Sequence, residues 1–341
     1  MYIAKQRIFC YTEKKNFFKE DSPMKPRHAV AAAVTAAAAA AGTALLGAAY
    51  GIYRISFYHK PDPAVPAPAE MKSRLPYRDA MEADAAVLDN APCEEVHITA
   101  KDGVDLFGRY YHHKDGAPVV LIFHGYTGYA QRDGLGGYIL CRKLGYNVLL
   151  PDQRAHGRSG GHTITMGAKE QYDAQSWANW AADRFGQNTP LFLMGVSMGA
   201  ATVMLASGLP LPSSVKGIVA DCGYTSAEEI TRKCLPDYLP HAPVGAAYAV
   251  GRLGARLYGR FEPNNIDCTA AVSKATVPIL FIHGEEDGFV PCEMSRKNFD
   301  ACASRKQLLT IPGAAHAVCY YRDTEKYTAV TTKFFEECLE Q

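Results

Sequence analysis

A serine in a turn bounded by glycines is the residue of this sequence best placed to do chemistry. The segment GVSMG at 195–199 follows an apolar run of strand length and precedes a small-residue helical pattern. A serine hydroxyl becomes an effective nucleophile when a sharp strand-to-helix turn exposes it beside a base and near hydrogen-bond donors. We therefore predict that Ser197 is a catalytic nucleophile. The alternative is a glycine-rich turn with a bystander serine.

A carboxylate and an imidazole follow two later strand-like runs. Asp287 comes shortly after the apolar run at 277–283, and His316 comes after the run at 307–311. The chain order Ser, Asp, His is the one expected around such a serine turn. We predict that His316 takes the proton of Ser197 and that Asp287 fixes the tautomer of His316. Three other carboxylates remain alternatives to Asp287: Glu285, Glu286 and, more distantly, Asp221.

Backbone donors for the oxyanion are expected at two turns. The apolar strand predicted at 118–123 runs into HGYTG at 124–128, and Met198 directly follows Ser197. The N–H groups of Tyr126 and Met198 would together stabilise a tetrahedral intermediate. The alternative for the first segment is an ordinary glycine turn.

The elements that must hold these residues alternate along the chain. Buried strands are predicted at 118–123, 146–150, 191–194, 215–220, 277–283 and 307–311, after an antiparallel pair at 95–100 and 104–113. Helical patterns separate them. This order predicts an α/β fold with a mostly parallel sheet covered by helices on both faces. Functional residues are then expected at the carboxyl ends of the strands.

Five segments in this order resemble the α/β-hydrolase family, in particular serine hydrolases related to bacterial membrane-anchored and peptidase-like hydrolases. They are HGYTG at 124–128, DQRAHGRSG at 152–160, GVSMG at 195–199, the Asp287 loop ending in Val290-Pro291, and GAAH at 313–316. The resemblance extends from about Glu94 to the C-terminus. It implies an α/β-hydrolase fold and catalysis by Ser197, Asp287 and His316 without metal or cofactor. Ala155 replaces a usual glycine in a segment that we interpret as structural, so His156 is not the predicted base.

An irregular stretch at about 227–275 interrupts the alternation, where such folds insert a cap over the pocket. Within it Arg252, Arg256 and Arg260 recur every four residues and would share one face of a helix. A solvated basic face and a patch that contacts anionic lipid headgroups or an acidic substrate both remain open.

The N-terminal region is predicted to reach a membrane. A basic segment, 1–28, precedes residues 29–53, which contain no charged residue and are long enough to cross about 30 Å of hydrocarbon at about 1.5 Å per residue. The heavier positive charge on the N-terminal side favours a cytoplasmic N-terminus and an extracytoplasmic catalytic domain. The alternatives are a signal peptide cleaved near 47–49, with secretion, and a buried alanine-rich helix. Translation starting at Met24 instead of Met1 also remains open.

The aromatic residues Tyr50, Tyr53, Phe57 and Tyr58 are expected to form an interfacial belt at the far end of this helix. Residues 54–92 would then form a proline-rich stalk and a helical lead-in. The hydrolase domain would occupy 93–341.

Composition limits the functions to be considered. The chain has 341 residues, 48% of them hydrophobic, and a formal net charge of +1, which gives no case for nucleic acid as a partner. Its 10 Cys are scattered without C-x-x-C or zinc-like spacing. We predict a serine hydrolase that cleaves carboxylic esters, its substrate a small-molecule or lipid-like ester. A peptidase, amidase or acyltransferase would need the same triad, and a non-catalytic binding protein is the alternative from another class. The oligomeric state stays open.

Overall fold

The computed structural model describes residues 26–59 and 73–340 of the chain. Within this part, eight strands form one sheet. The strands are β1 (Glu94–Thr99), β2 (Asp105–Tyr111), β3 (Val119–Phe123), β4 (Asn147–Pro151), β5 (Leu191–Val196), β6 (Val215–Asp221), β7 (Ile279–Gly284) and β8 (Lys306–Ile311). Their spatial order is β1-β2-β4-β3-β5-β6-β7-β8. The pairs β1/β2 and β2/β4 are antiparallel, and all other neighbours are parallel.

Helices cover both faces of the sheet. Those that follow the N-terminal helix α1 (Pro26–Ser56) are α2 (Arg78–Asp89), α3 (Ala130–Asp133), α4 (Leu135–Leu144), α5 (Glu170–Phe185), α6 (Met198–Ala206), α7 (Ala227–Tyr238), α8 (Val244–Gly254), α9 (Cys268–Val272), α10 (Cys292–Ala301), α11 (Cys319–Arg322) and α12 (Thr324–Leu339). Alternate residues of β3 enter two different apolar clusters, because successive strand side chains point to opposite faces. One cluster contains Trp177 of α5 and Met204 of α6, and the other contains Tyr138 of α4 and Phe334 of α12. The predicted α/β architecture is confirmed.

The parallel strands bring their carboxyl ends to one edge of the sheet. The turns after β3, β5, β7 and β8 contain the residues singled out from the sequence. These strands are fully buried apart from parts of β8, and their side chains form the centre of both clusters. The loops at this edge therefore start from a rigid, close-packed base.

A helical insertion lies between β6 and β7, where a cap was expected. It contains α7, α8, a π-helical segment at Ala255–Gly259 and α9. The expected arginine stripe is wrong in part: Arg260 has a φ of 56° and ends the helical segment, so it does not continue the face. Arg252 and Arg256 both contact Glu262, at 2.7 and 3.4 Å. Much of the positive charge of this face is thus paired within the cap.

Helix α1 is continuous and apolar. Its segment Val30–Ser56 has a mean hydropathy of 1.8 and is long and apolar enough to cross a membrane, a property that signal sequences near an N-terminus share. The described residues form two compact units that divide inside this helix, between Leu45 and Leu46. The last turns of α1 therefore belong to the same unit as the sheet.

Those last turns pack closely against the cap and the loop after β4. Ala49 is fully buried, and Tyr53 and Phe57 are 7% exposed. The ring of Phe57 meets that of Phe261 edge to face, and the Tyr53 hydroxyl lies 2.8 Å from that of Thr163. Tyr53 and Phe57 were expected at a membrane interface, and protein surrounds them instead. The proline-rich part of the expected stalk, 60–72, lies outside the described residues.

Candidate active site

Ser197 occupies a strained turn between β5 and α6. Its φ is 58° and its ψ is −117°, which few non-glycine residues adopt. A Cβ at Gly195 would lie 2.1 Å from the carbonyl oxygen of Gly199, and a Cβ at Gly199 would lie 2.0 Å from that of Phe123. Side chains are therefore excluded two positions before and two positions after the serine, which explains the sequence pattern of this turn.

His316 lies within hydrogen-bond distance of Ser197. The loop after β8 places His316 Nε2 3.0 Å from Ser197 Oγ. Its other ring nitrogen, Nδ1, is 2.6 Å from Asp287 Oδ2. The structure thus brings together the three residues predicted from the sequence. A ring bonded at Nδ1 to a carboxylate carries its proton there and leaves Nε2 free to accept the serine proton.

Asp287 is held as a charged acceptor. Its side chain is fully buried, and Oδ1 accepts hydrogen bonds from the backbone N–H groups of Phe289 and Val290 at 2.9 and 2.8 Å. Burial by itself raises the pKa of Asp287, but the contacts with His283 and His316 outweigh it and hold the pKa well below its usual range. The carboxylate therefore stays ionised and can stabilise an imidazolium at His316.

The alternative carboxylates have other partners. Asp221 ends β6, and its Oδ2 accepts a hydrogen bond from the Tyr327 hydroxyl at 3.1 Å. Burial raises the pKa of Asp221 to about 6. Glu285 and Glu286 are exposed, and Glu285 accepts a hydrogen bond from Thr310. Of the four candidates, Asp287 is the one whose carboxylate accepts a hydrogen bond from His316.

Part of the backbone of the turn after β3 is already hydrogen-bonded. The N–H of Gly125 donates to Asp133 Oδ2 at 3.0 Å, so it is already occupied. Asp133 is buried in an ion pair with Arg74 at 2.9 Å, and this ion pair holds in place the carboxylate that binds the turn. Tyr126 and Met198 both line the cavity that contains Ser197. As the first residue of α6, Met198 has an N–H without a partner inside the helix.

His156 lies outside the group formed by Ser197, His316 and Asp287, whereas Cys222 lies close to it. The Nδ1 of His156 lies 2.8 Å from the Arg154 carbonyl oxygen, and its ring stacks on His59. The thiol of Cys222 is close to Asp287 and His316, a grouping compatible in composition with a metal site. Burial raises the pKa of Cys222, however, and both ring nitrogens of His316 already face Ser197 and Asp287. These donors suit a proton relay better than a metal ion.

Ser197 opens into an apolar cavity of about 460 Å³. Cap residues form one side of it, among them Ile230, Leu235 and Tyr248, and Phe289 contributes from the loop of Asp287. The Phe289 ring also lies edge-on to His316 at 5.0 Å. The volume falls within the range of about 300–1,000 Å³ typical of small-molecule sites.

The cavity includes residues that the sequence analysis did not assign to it. Ile52, Ile55, Ser56 and Phe57, at the end of α1, line it together with Ser197. The sequence predicts membrane anchor and stalk for this stretch. The only available signal was the recurrence of apolar and aromatic residues at helical spacing, and such a face looks the same whether lipid or protein covers it.

Comparisons with known proteins agree with this architecture. Residues 118–243 match a family described as alpha/beta hydrolase fold, and residues 247–323 match one described as serine aminopeptidase, S33. The bifunctional esterase/perhydrolase DCH of Acinetobacter calcoaceticus is 25% identical over 260 residues, covering 65% of this chain and 93% of its own length. The uncharacterized protein YqkD of Bacillus subtilis is 25% identical over 241 residues, covering 70% of this chain and 78% of its own.

A solved structure shares the fold. The Pyrococcus furiosus esterase Pf2001 superimposes with a TM-score of 0.61 at 21% identity, over 82% of this chain and 98% of that chain. The same fold is indicated by three observations: the two matched family segments, the eight-stranded sheet and the serine turn after β5. The chain belongs to the α/β-hydrolase superfamily and is a hydrolase of that fold.

Proposed function

We propose that this hydrolase cleaves carboxylic esters through a covalent acyl-enzyme on Ser197. The observation that carries the proposal is the unbroken series of contacts from Ser197 Oγ to His316 Nε2 at 3.0 Å and from His316 Nδ1 to Asp287 Oδ2 at 2.6 Å. A nucleophile, a base and a tautomer-fixing carboxylate in this geometry are what acyl transfer needs.

In the first half-reaction, Ser197 Oγ attacks the carbonyl carbon of the ester while its proton moves to His316 Nε2. The negative charge passes to the carbonyl oxygen, where the N–H groups of Tyr126 and Met198 would stabilise it. The intermediate collapses by breaking the bond to the alkoxy oxygen, which leaves as the alcohol with the proton from His316. Water then attacks the acyl carbon while its proton moves to His316 Nε2. The bond from the acyl carbon to Ser197 Oγ breaks, Oγ takes the proton back from His316, and the carboxylic acid leaves.

The lining of the cavity favours an ester over a peptide with a free amino terminus. The match to the serine aminopeptidase family makes a peptidase the second candidate. Recognition of an α-ammonium group calls for a carboxylate beside the nucleophile. Among the described residues that line the cavity, none is Asp or Glu, and its one charged side chain, Arg252, is a cation paired with Glu262. An apolar acyl group fits this lining better.

Labelling and turnover test the proposal together. We expect the full-length chain in detergent micelles to react with a fluorophosphonate and to hydrolyse p-nitrophenyl esters. Ser197→Ala should abolish labelling and lower kcat on the order of 10⁶-fold, and His316→Ala should lower kcat comparably. Ser273→Ala and His112→Ala, at exposed positions, are the matched controls.

The outcomes separate the candidates. Stoichiometric labelling without ester turnover, together with cleavage of aminoacyl amides, would favour the peptidase. Neither labelling nor turnover in a folded sample would leave a binding protein that keeps the fold.

We also propose that α1 is retained as a single-pass anchor and that the catalytic domain, which extends to the C-terminus, lies outside the cytoplasm. The burial of Ala49 supports retention, because a Cβ at Gly254 would approach the Ala49 carbonyl oxygen to 2.3 Å and the two helices are therefore in direct contact. Protease added to intact cells should then cleave the chain, and the purified protein should keep peptides upstream of residue 46. Full protection until lysis would refute the orientation, and a mature N-terminus at residues 48–50 would refute retention.

A further inference from the structure

The end of α1 lies inside the catalytic cavity rather than beside it. Ile52, Ser56 and Phe57 line the same space as Ser197. Ile55 also borders the cavity, although its side chain is 83% exposed, so it stands at the mouth. This helix therefore contributes both an inner wall and part of the rim.

The wall is fixed by close helix packing. Gly251 and Gly254 of α8 lie where α1 crosses it: an added Cβ would be 3.3 Å from Ile52 Cγ2 at the first position and 2.3 Å from the Ala49 carbonyl oxygen at the second. The Tyr258 hydroxyl donates to the Leu46 carbonyl oxygen at 3.3 Å. Glycine on α8 thus brings α1 near enough to take part in the cavity surface.

The helix end is also tied to the residues around the nucleophile. The Tyr126 hydroxyl donates to the Ser56 carbonyl oxygen at 2.6 Å. After the helix, the Ile164 N–H donates to the Phe57 carbonyl oxygen and the His59 N–H to that of His162, each at 2.8 Å. Three hydrogen bonds to two separate segments, the turn after β3 and the loop after β4, therefore hold residues 56–59 in place.

The surface opposite this wall is apolar. Ile230, Leu235 and Leu239 of the cap border the same cavity. The charged residue of the cavity lining is Arg252. Its Nε and Nη2 donate hydrogen bonds to the Glu262 carboxylate at 2.7 and 3.0 Å, so its charge is paired with a residue that does not line the cavity. A space between such surfaces accepts an aliphatic chain, because each methylene group that leaves water for an apolar lining stabilises the bound state.

We propose that residues 52–57, at the end of α1 and directly after it, form the wall of an acyl-chain site and that this wall selects esters of medium- to long-chain fatty acids. The proposal rests on the proposed esterase function for its turnover readout. The fatty-acyl site, which the N-terminal apolar helix helps to build, is inferred from the lining of the cavity and does not depend on turnover. Ile52 is the residue that sets how far the chain extends, because it lies between α8 and the open space.

The test compares acyl-chain preference in the full-length chain. We would measure kcat/KM in detergent micelles for p-nitrophenyl esters from acetate to palmitate. Ile52→Trp should shorten the site, lowering kcat/KM for the esters of the longest chains by about tenfold or more while that for acetate changes less than about twofold. Ile52→Ala should move the optimum to longer chains. Leu46→Ala removes a similar side chain from the same helix, at a position outside the cavity lining, and should leave the profile unchanged.

The outcomes distinguish this inference from the proposed function. If the wild-type chain hydrolyses esters and both Ile52 variants keep its profile, the wall is refuted while the esterase stands. If no ester is hydrolysed, binding of the fluorescent fatty acid cis-parinaric acid provides the readout. Binding that Ile52→Trp weakens about tenfold and Leu46→Ala leaves intact supports the acyl site. Absent binding, or equal binding by all variants, overturns it.

Discussion

Replacing Asp287 by asparagine changes one atom in the series of contacts that leads to Ser197. The new side chain keeps an oxygen for the N–H groups of Phe289 and Val290, so the loop retains both backbone contacts. Its amide nitrogen takes the place of Oδ2 and presents a donor to His316 Nδ1, 2.6 Å away. The imidazole must then accept at Nδ1 and carry its proton on Nε2, where it faces Ser197 Oγ.

A ring protonated at Nε2 has no lone pair for the serine proton. We therefore expect kcat/KM to fall by about 10⁴-fold, the scale seen for a wrong tautomer in such triads, which corresponds to about 5.4 kcal/mol. The effect on folding should be smaller, about 1.5–3 kcal/mol for one lost charged hydrogen bond. Because the folded pKa of Asp287 lies below its unfolded value, the wild-type protein has this stability above about pH 4 and loses it as the pH falls.

The assay is p-nitrophenyl butyrate hydrolysis by the full-length chain, with circular dichroism to verify folding. Glu286→Gln removes a neighbouring, exposed carboxylate and is the matched control. Asp221→Asn tests the buried alternative and should keep most of the activity. The reasoning is refuted if folded Asp287→Asn keeps more than about a tenth of the wild-type rate, or if Asp221→Asn loses as much.

Three further outcomes follow from the same geometry. Asp221→Asn should raise the melting temperature at pH 8 but not at pH 4. Burial raises the pKa of Asp221 from 3.8 to about 6, so the free energy of unfolding of the wild-type protein falls by about 3 kcal/mol as the pH rises between these two values. Gly199→Ala should abolish fluorophosphonate labelling, because its Cβ would lie 2.0 Å from a strand carbonyl oxygen. Gly288→Ala, whose Cβ meets nothing within 4 Å, should label normally, and a fully labelled Gly199→Ala would contradict the packing. Tyr126→Phe should lower kcat about two- to tenfold with KM little changed in steady-state kinetics. The variant loses the 2.6 Å hydrogen bond to the Ser56 carbonyl oxygen and keeps the backbone N–H of residue 126. An unchanged kcat would show that this hydrogen bond does not position the turn.

The sheet and the order of the site residues could be predicted from the sequence because each depends on a local pattern. Fully apolar runs such as β3 and β5 are typical of parallel strands that are buried on both faces of a sheet. Ser197 needs glycine two positions away on either side for steric reasons that the sequence displays directly. His316 and Asp287 could be placed because strand ends meet at one edge.

The cavity wall could not be predicted in this way. The apolar face around Ile52 and Tyr53 fits a lipid environment and a protein environment equally well, and only the packing of Gly251 and Gly254 against it decides between them. The arginine stripe failed for a related reason. The spacing of the three arginines predicts a shared face only if the helix is continuous. The helix ends at Arg260, whose φ is left-handed, and Glu262 then pairs with Arg252.

The close contact between Ala49 and Gly254 also bears on how this enzyme is to be produced. Apolar N-terminal segments are routinely deleted to obtain soluble recombinant protein, and a boundary chosen after residue 53 or at residue 70 would look harmless in the sequence. Either boundary removes Ala49 and Ile52, and the second also removes the carbonyl group of Ser56 that receives the Tyr126 hydroxyl. Such a fragment would keep Ser197, His316 and Asp287 and expose its cavity. Substrate preferences measured on it would describe the truncated protein rather than the native enzyme.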